Sequence, residues 1–231
     1  MPRWAKDAIS GGVVLLLAVA NIVTRSKPCK LQKVNLYVDG FNLFFGLASF
    51  GGKYKWLDLV AMAKQLCREG QELGQVYYFT ARIKGNDKHK IKRQTTYLEA
   101  LEVTGVEIVL GKYLNKAVKC RKCGKTYLVS EEKESDVNLA TYLLVEAAAD
   151  RADVHLVISA DSDLILPMEK VRDLYNKVVV PVFPPRRQSR EISKRIGSPF
   201  FINETLLRNS QLPQVVQKAD GYKLYRPSRW K

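Results

Sequence analysis

Residues 154–159 read Val-His-Leu-Val-Ile-Ser, an almost unbroken apolar run. Such a run has no polar face to offer water, so it fits a strand covered on both sides, as in a parallel sheet flanked by helices. Other short β-rich runs occur at 33–38, 75–80, 106–110 and 177–182. Helical spacing of apolar residues, or a polar start followed by an apolar stripe, fills 57–67, 87–103, 135–149 and 163–175 between them. Strands alternating with helices mean βαβ units and a parallel sheet of about five strands. Residues 199–202 suit one more short strand, and 113–129 read as irregular. At 231 residues the chain has room for one α/β domain and a small appendage. A hydrophobic share of 46% excludes wholesale disorder, and four cysteines exclude a disulfide-built scaffold.

In open parallel sheets, ligands bind beyond the carboxyl ends of the strands. Acidic residues fall at two such ends. Asp39, in Tyr-Val-Asp-Gly-Phe-Asn, closes the first strand, and Asp161 and Asp163, in Ser-Ala-Asp-Ser-Asp, follow the fourth. Asp136 begins the helix that leads into that fourth strand. Carboxylates converging on one crevice need a cation or protons to coexist, and Mg²⁺ or Mn²⁺ suits hard oxygen ligands. Such an ion generates hydroxide and neutralises charge on a phosphodiester. Asn42 is placed to orient substrate without adding charge. The structural alternatives stay open: Asp39-Gly40 as a turn, and Asp136, Asp161 or Asp163 as helix caps.

The net charge of +15 is unevenly spread. Residues 1–30 carry +4, residues 31–183 carry +3 and residues 184–231 carry +8. Three segments follow: an apolar N-terminal extension (1–30), the α/β domain (31–183) with an insertion at 113–129, and a basic C-terminal segment (184–231). Within the domain, Arg82, Lys84, Lys88, Lys90, Lys92 and Arg93 form one basic run, and Lys112 and Lys122 belong to a second. Local basic stripes favour a polyanion, nucleic acid being the commonest, although a solvated surface or an anionic membrane partner reads the same way.

Cys120 and Cys123, followed by Gly124, resemble half a zinc knuckle. Structural zinc wants four ligands, so the site needs completion across a homodimer, or else the pair is a metal-free hairpin. Phe41, Phe44, Phe45, Tyr54 and Trp56 cluster after the first strand, and Tyr222, Tyr225 and Trp230 alternate with cations near the C-terminus. Either group suits base stacking, and either suits plain packing or a frayed tail. Ala8 to Val23 carries no charge, and a span of 8–23 falls short of a bilayer-crossing helix. A membrane contact, a secretory signal and a non-native extension all remain readings of it. The location expected for the domain is cytoplasmic, with a membrane tether as the variant.

Three blocks, YVDGFNLFFGL, EKESDVNLATYLL and ADVHLVISADSDLILPMEKVR, resemble the NYN domain family, relatives of the PIN-domain nucleases. The similarity spans roughly residues 33–182. It implies a PIN-like three-layer α/β/α sandwich and metal-dependent RNA cleavage by a hydrolase. By motif, Asp39, Asp136 and Asp161 would hold Mg²⁺ or Mn²⁺, Asp163 would complete the acidic site, and Asn42 would orient RNA. Where many members carry a further Asp in the middle helix, this chain has Tyr142, which points to a weakened second metal site or a degenerate RNA-binding module. YKWLDL, the Cys-x-x-Cys block and EEKESDVN also resemble a subset named 6-hydroxy-3-succinoylpyridine 3-monooxygenase, which implies NADH-dependent hydroxylation in nicotine degradation. The residues do not argue for that chemistry. No Gly-x-Gly-x-x-Gly follows a strand, and His89 and His155 are the only histidines for an iron site.

Overall fold

The computed structural model describes residues 30–230 apart from Asn86. From Gln32 onward the chain forms one compact unit. Its centre is a seven-stranded sheet in the order β4-β3-β2-β1-β5-β6-β7. The strands are β1 (Gln32–Asp39), β2 (Gln71–Ala81), β3 (Glu107–Lys119), β4 (Thr126–Lys133), β5 (Val154–Ile158), β6 (Val178–Phe183) and β7 (Phe200–Phe201). Six run parallel, and β4 is antiparallel to β3. The expected strands are all present, the short one at 199–202 as β7, and β4 is added at the other edge.

The two-residue period of β1 sorts its side chains between two layers. Val34, Leu36 and Val38 join one buried cluster with Leu43 and Leu47 of α1 (Gly40–Leu47), Leu59 and Met62 of α2 (Leu59–Leu66), and Leu98 and Leu101 of α3 (Lys88–Val103). Tyr37 faces the opposite cluster with Leu139 and Leu143 of α4 (Ser135–Ala148) and Met168 and Val171 of α5 (Ile165–Tyr175). The result is the α/β/α sandwich that the alternating pattern implied. Asn35, Tyr37 and Asp39 therefore share the α4–α5 side of the central strand.

Several elements depart from the sequence reading. The Asp39-Gly40 step does not end in a loop but starts α1 directly. The 113–129 segment is a regular hairpin, with Lys112–Lys119 paired against Thr126–Lys133. Its tip closes because Cys120 N–H donates to Lys125 O and Gly124, at φ +70°, turns back to donate to Cys120 O. The basic C-terminal segment is folded. Helices α6 (Arg190–Arg195) and α7 (Glu204–Asn209) lead to the hairpin β8 (Val215–Gln217) and β9 (Lys223–Tyr225). Leu212, Val216, Leu224 and Trp230 are buried in the α1–α3 cluster. Trp56 Nε1 donates to Pro213 O and the Arg226 guanidinium donates to Lys53 O, so these bonds tie the segment back at two points, while Arg226 also donates to Trp230 O within the segment.

The expected membrane tether is overturned. Among the described residues no helix is long and apolar enough to cross a membrane. The apolar run 8–23 and Cys29 lie outside the described residues.

Candidate active site

Strand order reverses between β1 and β5, because the chain builds outward to β2 from one and to β6 from the other. At such a switch point the two following connections part, leaving a crevice at the carboxyl ends. Val38 pairs with Ile158, so Asp39 and Ser159 emerge side by side. Both are buried.

Asp39 has two tasks. Its Oδ1 accepts from Asn42 N–H at 2.9 Å, which caps α1. Its Oδ2 accepts from Asn42 Nδ2 at 2.8 Å and from the Ser159 hydroxyl at 2.8 Å. The same hydroxyl accepts from Asp161 N–H at 3.0 Å, and Asp161 Oδ1 accepts from Asp163 N–H at 3.0 Å. A single serine oxygen thus couples the two acidic strand ends. Asn42 Oδ1 accepts from Ala160 N–H at 3.3 Å, so both ends of its amide are engaged inside the network. Asn42 braces Asp39 and the β5 loop; it does not reach outward as a substrate-orienting group.

The cap reading of Asp39 and Asp161 is realised, since each side chain accepts a backbone N–H at the start of a helical turn. Asp161 is half-buried and Asp163 exposed. Asp136 is exposed in the first turn of α4. That turn lies on the same edge: Glu146, near the other end of α4, receives a hydrogen bond from Asn35, four residues before Asp39 along β1. Of the four predicted acids, Asp39 is linked through Ser159 to the backbone of Asp161, while Asp163 and Asp136 stand exposed outside that link.

Every donor to Asp39 is neutral. Among the described residues no lysine or arginine forms an ion pair with Asp39, Asp161 or Asp163. A buried carboxylate with no counter-charge is costly, and a bound cation offsets that cost. Among the described residues no three His, Cys, Asp or Glu side chains stand close enough to hold one metal. The donor set fits an ion such as Mg²⁺, which takes one or two carboxylates and keeps its remaining waters. It does not fit a three-carboxylate cage. For zinc, the hairpin tip offers Cys120 and Cys123 alone among the described residues, half of what a structural site needs. Backbone amides of Cys123 and Lys122 hold the Cys120 thiol below its usual range, so that half is geometrically apt.

Tyr142 supplies no carboxylate here. It packs edge-on against Tyr77 and Phe79, and its hydroxyl donates to Glu107 at 3.3 Å. The basic run at 82–93 does not form one stripe. Lys90 and Arg93 turn towards a cavity beside α1, whereas Lys88 and Lys92 turn towards Tyr222. Arg82 and Lys84 are exposed just past the carboxyl end of β2. Lys112 is answered by an ion pair with Glu134, and Lys122 is exposed at the hairpin tip. Sequence reasoning missed Ser159, although its place between the fourth strand and Asp161 was a usable signal. His155 is wholly buried, bonded at Nδ1 to the Tyr37 hydroxyl at 2.9 Å, and far down β5 from this edge.

The sequence profile of the NYN domain family, which is a nuclease-like family, matches residues 33–198. The chain belongs to the NYN domain family. It is 26% identical over 223 residues to 6-hydroxy-3-succinoylpyridine 3-monooxygenase HspA of Pseudomonas putida, covering 80% of this chain and 71% of that protein. A crystal structure of a Vibrio parahaemolyticus protein of unknown function superposes with a TM-score of 0.54 at 18% identity. That alignment covers 79% of this chain and 98% of the other, and it supports the fold alone. The NYN match runs past Phe183 into α6, so the family's domain takes in part of the basic C-terminal segment.

Proposed function

We propose that this NYN protein is a metal-assisted ribonuclease that hydrolyses RNA phosphodiester bonds at the Asp39–Asp161 edge. The observation that carries the reading is the buried Asp39 carboxylate at the switch point, tied through Ser159 to the backbone amide of Asp161 and without a cationic partner. Asp39 and Asp161 would hold Mg²⁺ or Mn²⁺. A bound ion of this kind supplies charge neutralisation at the phosphate and lowers the pKa of a water. Asn42 and Ser159 act as positioning residues, fixing both Asp39 oxygens in orientation. Exposed Asp163 is placed to accept a proton from the attacking water, and Asp136 adds negative charge near the first turn of α4. Exposed Arg82 and Lys84 lie where flanking phosphates would be held.

The test is cleavage of a mixed RNA pool with Mn²⁺ or Mg²⁺, the natural chain beside Asp161→Asn. Metal-dependent cleavage lost in the variant supports the reading. An inert natural chain that still binds RNA overturns it in favour of a binding module. The relative's name favours a second reading, an NADH-dependent hydroxylation of a pyridine ring. NADH oxidation driven by a hydroxypyridine would support that one, and its absence from purified protein would remove it.

A further inference from the structure

A cavity of about 700 Å³ lies on the other side of α1 from the carboxylate pair, between α1, the end of β2 and α3. Its volume falls in the range of small-molecule sites. No acid of the candidate active site lines it. Its chemistry is the reverse of that edge.

Four cations reach its wall: Lys55, Lys90, Arg93 and Arg229. Asp87 is the one acid in the lining, and its Oδ1 is committed to capping α3 by accepting from Lys90 N–H at 2.9 Å. Among the described residues none of the four cations forms an ion pair. The Lys55 amine is pushed below its usual range by burial and then by the charges of Arg229 and Arg93. Lys55 feels both guanidiniums, and the one carboxylate of the lining, Asp87, feels Arg93. Four cations against one acid leave an excess of positive charge, which describes a place for an anion.

The remaining wall is aromatic. Tyr78, Tyr97 and Trp230 are buried, with Tyr97 edge-on to both Tyr78 and Trp230. Phe44 and Phe45 are partly exposed, and the Lys55 amine sits 4.3 Å from the Phe44 ring centre. Flat apolar faces beside unpaired cations suit a ring that carries a negative group. Trp230 and Arg229 come from the folded C-terminal segment, which gives that segment a reason to be basic and tied down.

We propose that this cavity binds a planar heteroaromatic ring bearing an anionic substituent, with the ring against the aromatic wall and the anion among Lys55, Arg93 and Arg229. A nucleotide and a free pyridine-type carboxylic acid share that chemistry. The proposal stands apart from the ribonuclease reading, because it uses none of the carboxylates.

The experiment is a titration of the full chain in EDTA, which silences any metal-assisted step, followed by calorimetry and by quenching of tryptophan fluorescence. The probes are uridine and adenosine monophosphates, the matching nucleosides, inorganic phosphate and pyridine-3-carboxylate. At least one ring-plus-anion probe is expected to bind ten-fold or more tightly than nucleoside or phosphate alone. Arg93→Gln and Lys55→Gln are each expected to weaken it about ten-fold, while Lys64→Gln on α2 leaves it unchanged. Preference for the monophosphates identifies nucleotide as the source, and preference for the pyridine acid identifies a free heteroaromatic acid. The proposal is overturned if no ring-plus-anion probe binds better than its parts, or if both cavity variants, shown folded by their melting curves, bind as the natural chain does. Either result leaves the RNA-cleavage test untouched.

Discussion

Two buried carboxylates lie over one side of the central sheet, near opposite ends of β1, and they are treated differently. At the amino end, Glu146 accepts from Asn35 Nδ2 at 3.3 Å and pairs with Arg151 at 2.8 Å. At the carboxyl end, Asp39 accepts from Asn42 and Ser159 alone. The first is closed by a cation. The second is oriented by neutral donors and left with its charge unanswered. A chain that can supply an arginine at one end and supplies none at the other has separated a structural acid from one available to an external cation.

The sharpest way to break this contrast is Asp161→Asn. RNA cleavage is expected to fall about 1000-fold, or about 4 kcal/mol of barrier, with the melting temperature nearly unchanged. Retained cleavage in a quantitative RNA assay would merge the two ends into one structural class.

Acid pH tests the closed end. His155 is buried beside Tyr37, and burial followed by the Lys177 charge pushes its pKa down to about 4. The native ring is therefore neutral, while the unfolded chain takes up a proton near 6.5. Its contribution is present above pH 6.5 and lost as pH falls towards 4, about 3 kcal/mol in all. Denaturant midpoints measured between pH 7 and pH 4 should decline accordingly, and His155→Asn should flatten the decline.

Arg151→Ala should cost about 2 kcal/mol, because it leaves Glu146 buried without its cation while water replaces part of an exposed partner. Cleavage per folded molecule should not change. A loss of cleavage here would mean that the two ends are coupled along β1.

Ser159→Ala removes the hydroxyl that links Asp39 to Asp161. It is expected to cost about 1 kcal/mol of stability and about ten-fold in cleavage rate. Equal melting curves with unchanged rate would deny the link any positioning role. The smallest effect belongs to Lys112→Gln, expected to shift stability by less than about 0.5 kcal/mol, since its pair with Glu134 is largely exposed.

Much of the scaffold was legible because each layer leaves a local trace. A strand covered on both faces must be apolar throughout, so β5 announced itself, and α2 through α5 carried helical spacing over most of their length. Helix α1 left no such trace. Gly-Phe-Asn-Leu-Phe-Phe-Gly-Leu has two poor helix formers, and it is helical because Asp39 caps it and because Gly46 lets Pro184 approach within a distance no Cβ would permit. The hairpin at 112–133 hid behind lysines, since an edge ribbon needs no buried stripe. The basic C-terminal segment read as a tail because its anchors, Leu212, Val216, Leu224 and Trp230, are spaced too widely to form a local pattern.

By itself the sequence determined the α/β alternation, the two acidic strand ends and the family, since each depends on a short-range pattern or a contiguous motif. Only the tertiary structure decided that Ser159 joins Asp39 to Asp161, that Asn42 faces inward, and that the cations at 55, 93 and 229 share one aromatic cavity. Those facts depend on contacts across more than a hundred residues, where neither spacing nor composition records which side chains will meet.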